Sequence, residues 1–237
     1  MPTDDFDVDR LAAWLHIDPA QVARLADRGR LPGRKVAGQW RFSPAEIHHW
    51  LEERMGLSTD DELKQMEMAL ERPPGGDVQQ PVSLAAMLPL GAIAIPLAAK
   101  TRRSVIASLC ELAASTGWLW DPVKMSEAVQ AREELCPTAL DGGVALLHAR
   151  RPLPAIVERP FLALGRTARP IPFGGAHGQL TDIFFLILST DDRGHLRVLA
   201  RLSRLLAAPS FLDELRAAAD PHAAHEIVAR YEIQLPD

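Results

Sequence analysis

Cysteine is scarce. Cys110 and Cys136 are the only two in 237 residues, too few for a disulfide framework or a four-ligand zinc site. Tyrosine occurs once and aromatics total 5%, so any core must be built mainly from aliphatic side chains. Long apolar runs are also missing. The longest, Leu84 to Ala99, is sixteen residues and contains Pro89 and Pro96, short of the ~20 that a membrane-spanning helix needs. The opening MPTDDFDVDR is acidic and has no apolar signal core, so neither export nor membrane association is expected and the cytoplasm is the expected compartment. Basic excess is lacking as well: 26 Lys and Arg stand against 31 Asp and Glu, a net charge of −5 with a pI near 5.9. That excludes a uniformly basic coat, and charge must be read segment by segment.

What is present is the balance of an ordinary folded protein, 47% hydrophobic and 24% charged. The length fits one large domain or two modest ones. The composition shifts most clearly between Gly56 and Val82, where LSTDDELKQMEMALE runs into RPPGGDVQQP. A Pro-Pro-Gly-Gly-Asp sequence can hardly continue a helix. The expected division is 1–56, a helix and Pro/Gly linker over 57–81, and 82–237. Leu63, Met66 and Leu70 form one apolar stripe; packing on its own domain and dimerisation both remain open for it.

Residues 8–55 read as helix, turn, helix, hairpin, helix. Asp9 can cap the first helix, with Leu11, Ala12 and Leu15 inward. After a turn at His16-Ile17, Asp18-Pro19 supplies an acceptor at N-cap and proline at N1, the usual signature of a helix start. That helix runs to about Arg28, with Val22 and Leu25 inward, and Gly29 stops it. KVAGQWRF follows as two short strands around Ala37-Gly38. Ser43-Pro44-Ala45-Glu46 opens the last helix as a capping box, with Ile47, Trp50 and Leu51 as its buried face. Between residues 19 and 42 stand six basic side chains, Arg24, Arg28, Arg30, Arg34, Lys35 and Arg41, and one acidic, Asp27. Phosphate neutralisation needs such local concentration, although a solvated basic face also accounts for it.

The run LAAWLHIDPAQVARLADRGRLPGRKVAGQWRFSPAEIHHWLEE, notably Gly29-Arg30-Leu31-Pro32 and the Gly-x-Trp-Arg-Phe of residues 38–42, resembles the small winged helix-turn-helix of the excisionase and MerR-like families. The resemblance implies double-stranded DNA as partner. Gln21, Arg24 and Arg28 would lie on or near a recognition helix, and Arg34, Lys35, Gln39 and Arg41 on the wing. Trp40 and Phe42 are expected in the core rather than at a contact. Operators read by such domains usually need two copies, so a homodimer is expected.

From Val82 the chain alternates helical and strand-like runs. Helices are expected over Thr101–Thr116, Pro122–Glu134, Gly194–Leu206, Leu212–Ala219 and His222–Arg230, and buried strands at GVALLH and DIFFLILST. The expected fold class is therefore α/β: a small winged helix-turn-helix domain, then an α/β domain with a mixed sheet flanked by helices. His148 ends one strand, and His195 opens a helix after Asp191-Asp192-Arg193-Gly194. Either histidine taken alone is most simply a surface or satisfied core residue. His222 and His225 lack an evident acidic or cysteine third ligand and read as a solvated helix end.

The segment SEAVQAREELCPTALDGGVALLHARRP, residues 126–152, resembles the enzyme IIA domain of the phosphotransferase system, of the mannitol/fructose and nitrogen-regulatory type. Arg132-Glu133, Thr138, Gly142-Gly143 and His148-Ala149-Arg150 fall in the family's order. His195-Leu196 through Leu202 matches its second histidine and leucine-rich helix, so the likeness covers roughly 82–230. It implies His148 as nucleophile and phosphate carrier, His195 as hydrogen-bond partner, Arg132 or Arg150 as clamps on phosphoryl oxygens, and Thr138 beside them. The implied donor is the histidine-containing phosphocarrier protein, and no metal or cofactor is required. A neutral imidazole suits the work: its nitrogen attacks phosphorus, and a second imidazole with a guanidinium stabilises the anion.

Departures from the family pattern cluster at the site. Leu146-Leu147 replace isoleucine and proline ahead of the histidine, Asp141 interrupts the glycine turn, Cys136-Pro137 replace a small polar pair, and His177 stands where an acidic residue is common. The expected function is a DNA-binding transcriptional regulator modulated by phosphorylation of its IIA-like domain. The alternatives are a nitrogen-regulatory-type phosphocarrier with an accessory N-terminal domain, a IIA-like sensor without phosphate chemistry, and an architectural DNA binder that merely dimerises. Two rings side by side in an open groove would favour phosphate chemistry; burial or separation would not.

Overall fold

The structure is a computed structural model and describes residues 5–15, 17–44, 46–47, 50–51, 82–175 and 178–235. The expected helix and linker over 57–81, with Leu63, Met66 and Leu70, lie outside the described residues, as do His16, Ala45 and His177. The described residues fall into two compact units, one running to Val82 and taking in Leu199–Arg204, the other holding Ser83–Val198 and the chain from Leu205 onward, and each is taken by itself.

In the first unit, helix α1 spans Val8–Leu15 and α2 spans Pro19–Asp27. The cap of α1 is Asp7, whose carboxylate accepts the Arg10 N–H at 2.8 Å; Asp9 lies within the first turn instead. Both aspartates can reach a free N–H, and the start at Val8 selects the earlier one. At α2, Asp18 accepts the Ala20 N–H at 2.8 Å with Pro19 at N1. Gly29, at φ +66°, ends the helix: its N–H reaches the Ala26 carbonyl, and that of Arg30 reaches Leu25. Val22 and Ala26 are buried, and Leu25 is only half-buried.

Strands β1 (Arg34–Val36) and β2 (Gln39–Arg41) pair antiparallel through Ala37-Gly38. Both turn residues have positive φ, 50° and 80°, as a two-residue turn of matching twist requires. Phe42 is fully buried, and Gly33 lies so close that a Cβ there would fall 2.6 Å from its ring. Pro44, Glu46, Ile47, Trp50 and Leu51 are helical, with Ile47 and Leu51 buried. Trp50 is half-buried and donates its Nε1–H to the Arg30 carbonyl at 2.9 Å.

The second unit is a five-stranded mixed sheet in the order β3-β6-β7-β5-β4. Its strands are β3 (Ile93–Leu97), β4 (Ala139–Leu140), β5 (Val144–His148), β6 (Phe161–Pro172) and β7 (Leu180–Leu188). The pairs β3–β6 and β5–β7 are parallel, and β6–β7 and β4–β5 antiparallel. Helices α3 (Arg102–Ala114) and α4 (Pro122–Leu135) lie against one face, where Val105, Leu109, Met125 and Val129 meet Ala145, Leu147, Ala163, Phe184 and Leu186. Successive strand residues face opposite sides. Leu147 therefore turns into this helical core, and Leu146 and His148 turn to the other face.

Helices α5 (Asp192–Ala207), α6 (Phe211–Ala217) and α7 (Pro221–Gln234) follow. On α5, Leu196, Leu199 and Leu202 are buried as expected and Leu206 is half-buried; Arg197 and Arg204 are buried too. Glu232 of α7 accepts from the Leu84 N–H at 2.6 Å, the Ala85 N–H at 3.0 Å and the Ser83 hydroxyl at 3.2 Å, tying the last helix to the start of the unit. At the N-terminal end of α7, His222 contacts Glu226 at 3.4 Å and His225 donates to the Ala85 carbonyl at 3.1 Å. No described helix is long and apolar enough to cross a membrane.

Candidate functional site

Two imidazoles from different elements meet on the sheet face away from α3 and α4. His148 ends β5, where its parallel partner on β7 is Ile187. His195 sits in the first turn of α5, a turn fixed by Asp191, whose side chain accepts the Gly194 N–H at 2.7 Å and whose carbonyl accepts that of His195. Their ring centroids are 5.0 Å apart with planes at 55°. Both rings are buried, His148 at 3% exposure and His195 at 2%. The expected convergence is there; the expected open groove is not.

The environment of His148 sets its chemistry. Nδ1 lies 2.8 Å from the Leu146 carbonyl, which can only accept, so Nδ1 carries the proton. With the proton there, a ring that carries only one proton has its lone pair on Nε2. Nδ1 of His195 lies 3.0 Å from the Ser189 hydroxyl.

At the end of α4, the buried Glu133 carboxylate accepts the Thr138 N–H at 3.1 Å and also the Thr138 hydroxyl. Burial pushes this carboxyl above its usual range. The Thr138 hydrogen bonds and then the charge of Arg102 pull the other way, as does His148 when it is protonated. The Arg102 guanidinium donates to the Phe173 carbonyl at 3.0 Å and lies over the Phe173 ring. Arg132 is buried, and its Nη1 donates to the Cys136 carbonyl at 2.8 Å, closing the end of α4. Arg150 is exposed in the bend after β5. The glycine turn behaves as its residues require: Gly142 and Gly143 have φ of +84° and +78°, and a Cβ on Gly142 would fall 2.9 Å from Leu212 Cδ1.

In the first unit, Gln21 and Arg24 on α2 and Arg28 at its C-terminal cap are exposed and line one depression with Leu25. On the hairpin, Arg34 pairs with Asp5 at 2.9 Å, and Arg41 donates to the Gln39 side chain at 3.1 Å. Lys35 approaches Asp27 at 3.5 Å and lies 4.9 Å above the Trp40 ring. Trp40 is half-buried rather than core, and its Nε1–H also reaches Asp27, at 3.2 Å.

The family model of the phosphoenolpyruvate-dependent sugar phosphotransferase system EIIA 2 domain matches residues 86–231. The chain belongs to this family. A helix-turn-helix domain model matches residues 6–55. The nitrogen regulatory protein of Bradyrhizobium diazoefficiens is 37% identical over 105 residues, 44% of this chain and 67% of that protein. The fructose-specific EIIABC component of Bacillus subtilis is 28% identical over 142 residues, 59% of this chain and 22% of the relative's length. Among solved structures, nitrogen regulatory protein IIA-Ntr from Neisseria meningitidis superposes with a TM-score of 0.54 at 22% identity, over 61% of this chain and 97% of that one. IIA mannitol from Escherichia coli gives 0.53 at 20% identity, over 60% and 98%.

Within the EIIA domain, then, the fold joins His148 and His195 and sets Glu133 with Thr138 nearby. Arg150 stands exposed, and Nη1 of Arg132 closes a helix end. Four contributors escaped the sequence reading: the Leu146 carbonyl, Ser189, Arg102 and the carboxylate of Glu133 itself. Glu133 carried a signal, since it follows Arg132 in the family's Arg-Glu pair. A backbone carbonyl and a hydroxyl one loop away from their histidines carried none.

Proposed function

We propose that the chain is a DNA-binding transcriptional regulator whose activity is modulated by phosphorylation of His148 in its EIIA domain. The division of labour is the one read from the sequence, with 1–56 binding DNA, 57–81 linking and 82–237 carrying phosphate. The observation that carries the proposal is the imidazole pair: a nucleophilic Nε2 on His148 with a second imidazole at 5.0 Å. Arg132 or Arg150 would counter the phosphoryl charge, and Thr138 would support the site through Glu133. The donor would be the histidine-containing phosphocarrier protein. One solved relative is described as a complex of enzyme IIA mannitol with phosphorylated enzyme IIB mannitol. The helix-turn-helix unit would hold double-stranded DNA through Gln21, Arg24, Arg28, Arg34, Lys35, Gln39 and Arg41, as a homodimer on paired half-sites. A phosphate adds strong negative charge, and a coupling of ~1–3 kcal/mol is typical of such switches.

The test is a gel shift of wild type and His148→Ala, each with and without phosphoenolpyruvate and the phosphorylating proteins, read beside the intact mass. The mass should rise by one phosphoryl group in wild type only, with a matching change in DNA affinity. Equal binding in all four lanes would remove the switch. A second reading, a IIA-like sensor without phosphate chemistry, is favoured by the burial of both rings and by Leu147 in place of the family proline. No mass change under conditions that label a standard IIA domain would select it.

A further inference from the structure

We infer that Ser189 is a positioning residue for phosphoryl transfer, acting through His195. The inference rests on the proposed phosphorylation of His148. It follows from an asymmetry between the rings. The Leu146 carbonyl at 2.8 Å fixes the proton of His148 on Nδ1 and leaves Nε2 as an acceptor. A phosphoryl group on that Nε2 brings three anionic oxygens, which a neighbouring imidazole helps only by donating. His195 must then carry its proton on Nε2, which requires Nδ1 to be the accepting nitrogen. Ser189 is the group placed to enforce this. It lies on the short connection from β7 to α5, its hydroxyl is 3.0 Å from Nδ1 of His195, and it is buried at 5% exposure. A hydroxyl can donate as well as accept, so Ser189 can stand against an accepting Nδ1, where the carbonyl beside His148 can only accept. The tautomer that a phosphoryl group on His148 calls for in His195 is the one in which Ser189 donates to Nδ1.

The transfer balances on these terms. The Nε2 lone pair of His148 forms the new N–P bond as the N–P bond of the donor phosphohistidine breaks, and the leaving electron pair returns to the donor's ring nitrogen. His148 keeps its Nδ1 proton, so its ring gains positive charge, and the Leu146 carbonyl lies against that charge. The N–H of His195 acts on the phosphoryl oxygens and is not consumed. Ser189 touches none of the reacting atoms; it decides only which nitrogen of His195 is protonated.

The experiment uses the full chain, labelled with 15N-histidine, as wild type, Ser189→Ala, Ser189→Thr and His148→Ala. Two-bond 1H–15N correlation spectra assign the tautomer of His195, and phosphorylated histidine-containing phosphocarrier protein supplies phosphate for rate measurements. Wild type should show the Nε2–H form of His195, and Ser189→Ala a mixture of tautomers. Ser189→Ala should accept phosphate about tenfold more slowly, a loss smaller than that of a triad whose tautomer is locked wrong. Ser189→Thr, which keeps the hydroxyl, should restore both readings. An Nδ1–H form of His195 in wild type overturns the inference, as does a wild-type rate in Ser189→Ala when His148→Ala is inert. Phosphate uptake by no variant fails the underlying reading; the spectra still report whether Ser189 sets the tautomer.

Discussion

Glu133 and Thr138 are joined twice, since the buried carboxylate accepts both the backbone N–H and the hydroxyl of the same threonine. Even so, burial wins over these bonds and raises the Glu133 carboxyl above its usual range. A raised carboxyl means that the folded state binds the proton more tightly than the unfolded chain. Its contribution to stability is complete below the unfolded value, about 4.3 for glutamate, and is lost as pH rises through the folded value. Glu133→Gln keeps an acceptor for Thr138 and carries no charge. Urea denaturation across this pH range should show the variant gaining on wild type as pH rises. A constant difference between the two would show that Glu133 titrates alike in both states.

The two thiols should behave as opposites. Cys110 is fully buried on α3, and burial, with a smaller push from Glu111, raises its thiol to about 12. Cys136, at the end of α4, is exposed. The thiolate is the reactive species, so alkylation of the native protein near pH 8 should label Cys136 and spare Cys110. Peptide mass mapping reads the site directly. Labelling of Cys110 without denaturant would mean that the core around Val105, Ile106 and Leu109 opens readily.

The elements read most easily from the sequence are those whose residues settle the matter locally. Asp18-Pro19 starts α2, and the apolar runs of β5 and of β7 after Asp182 announce buried strands. The twelve-residue β6 escaped because Gly165, Arg166, Arg169 and Pro170 interrupt its pattern. Gly165 is there for contact: a Cβ would fall 2.7 Å from Leu97 on the neighbouring strand. The ladder also slips between Arg166 and Ile171. β3 was hidden inside the proline-broken apolar run. At the site, family likeness located both histidines. Their partners, the Leu146 carbonyl and the Ser189 hydroxyl, depend on how a strand end and a short loop are placed in space. No residue spacing encodes that placement.

Glu232 works as a long-range cap. Its carboxylate holds the N–H groups of Leu84 and Ala85 at the entrance of the second unit. Glu232→Ala would leave both donors to seek water, and leaving one buried donor unsatisfied typically costs about 1–3 kcal/mol. The midpoint of urea denaturation of the full chain should fall accordingly, with faster hydrogen exchange at Leu84 and Ala85. Glu232→Gln, which keeps one acceptor, should lose less. If Glu232→Ala keeps the wild-type midpoint, the three bonds add nothing beyond what water supplies.

On the proposed DNA face, Asp27 opposes the charges around it. It lies 3.5 Å from Lys35 and accepts the Trp40 Nε1–H at 3.2 Å, linking the end of α2 to the hairpin. Any phosphate approaching Lys35 must displace that carboxylate. Asp27→Asn keeps an acceptor for Trp40 and removes the competing charge, so DNA affinity should rise. Exposed ion pairs are weak, and the gain should be about threefold, shrinking as salt increases. Arg28→Ala, at the exposed C-terminal cap of α2, should act in the opposite sense, weakening binding and lowering the salt slope by about 1. Fluorescence anisotropy with duplex DNA at several salt concentrations separates the two effects. An affinity unmoved by Asp27→Asn, alongside a clear loss in Arg28→Ala, would place the phosphates on the helix and away from Lys35.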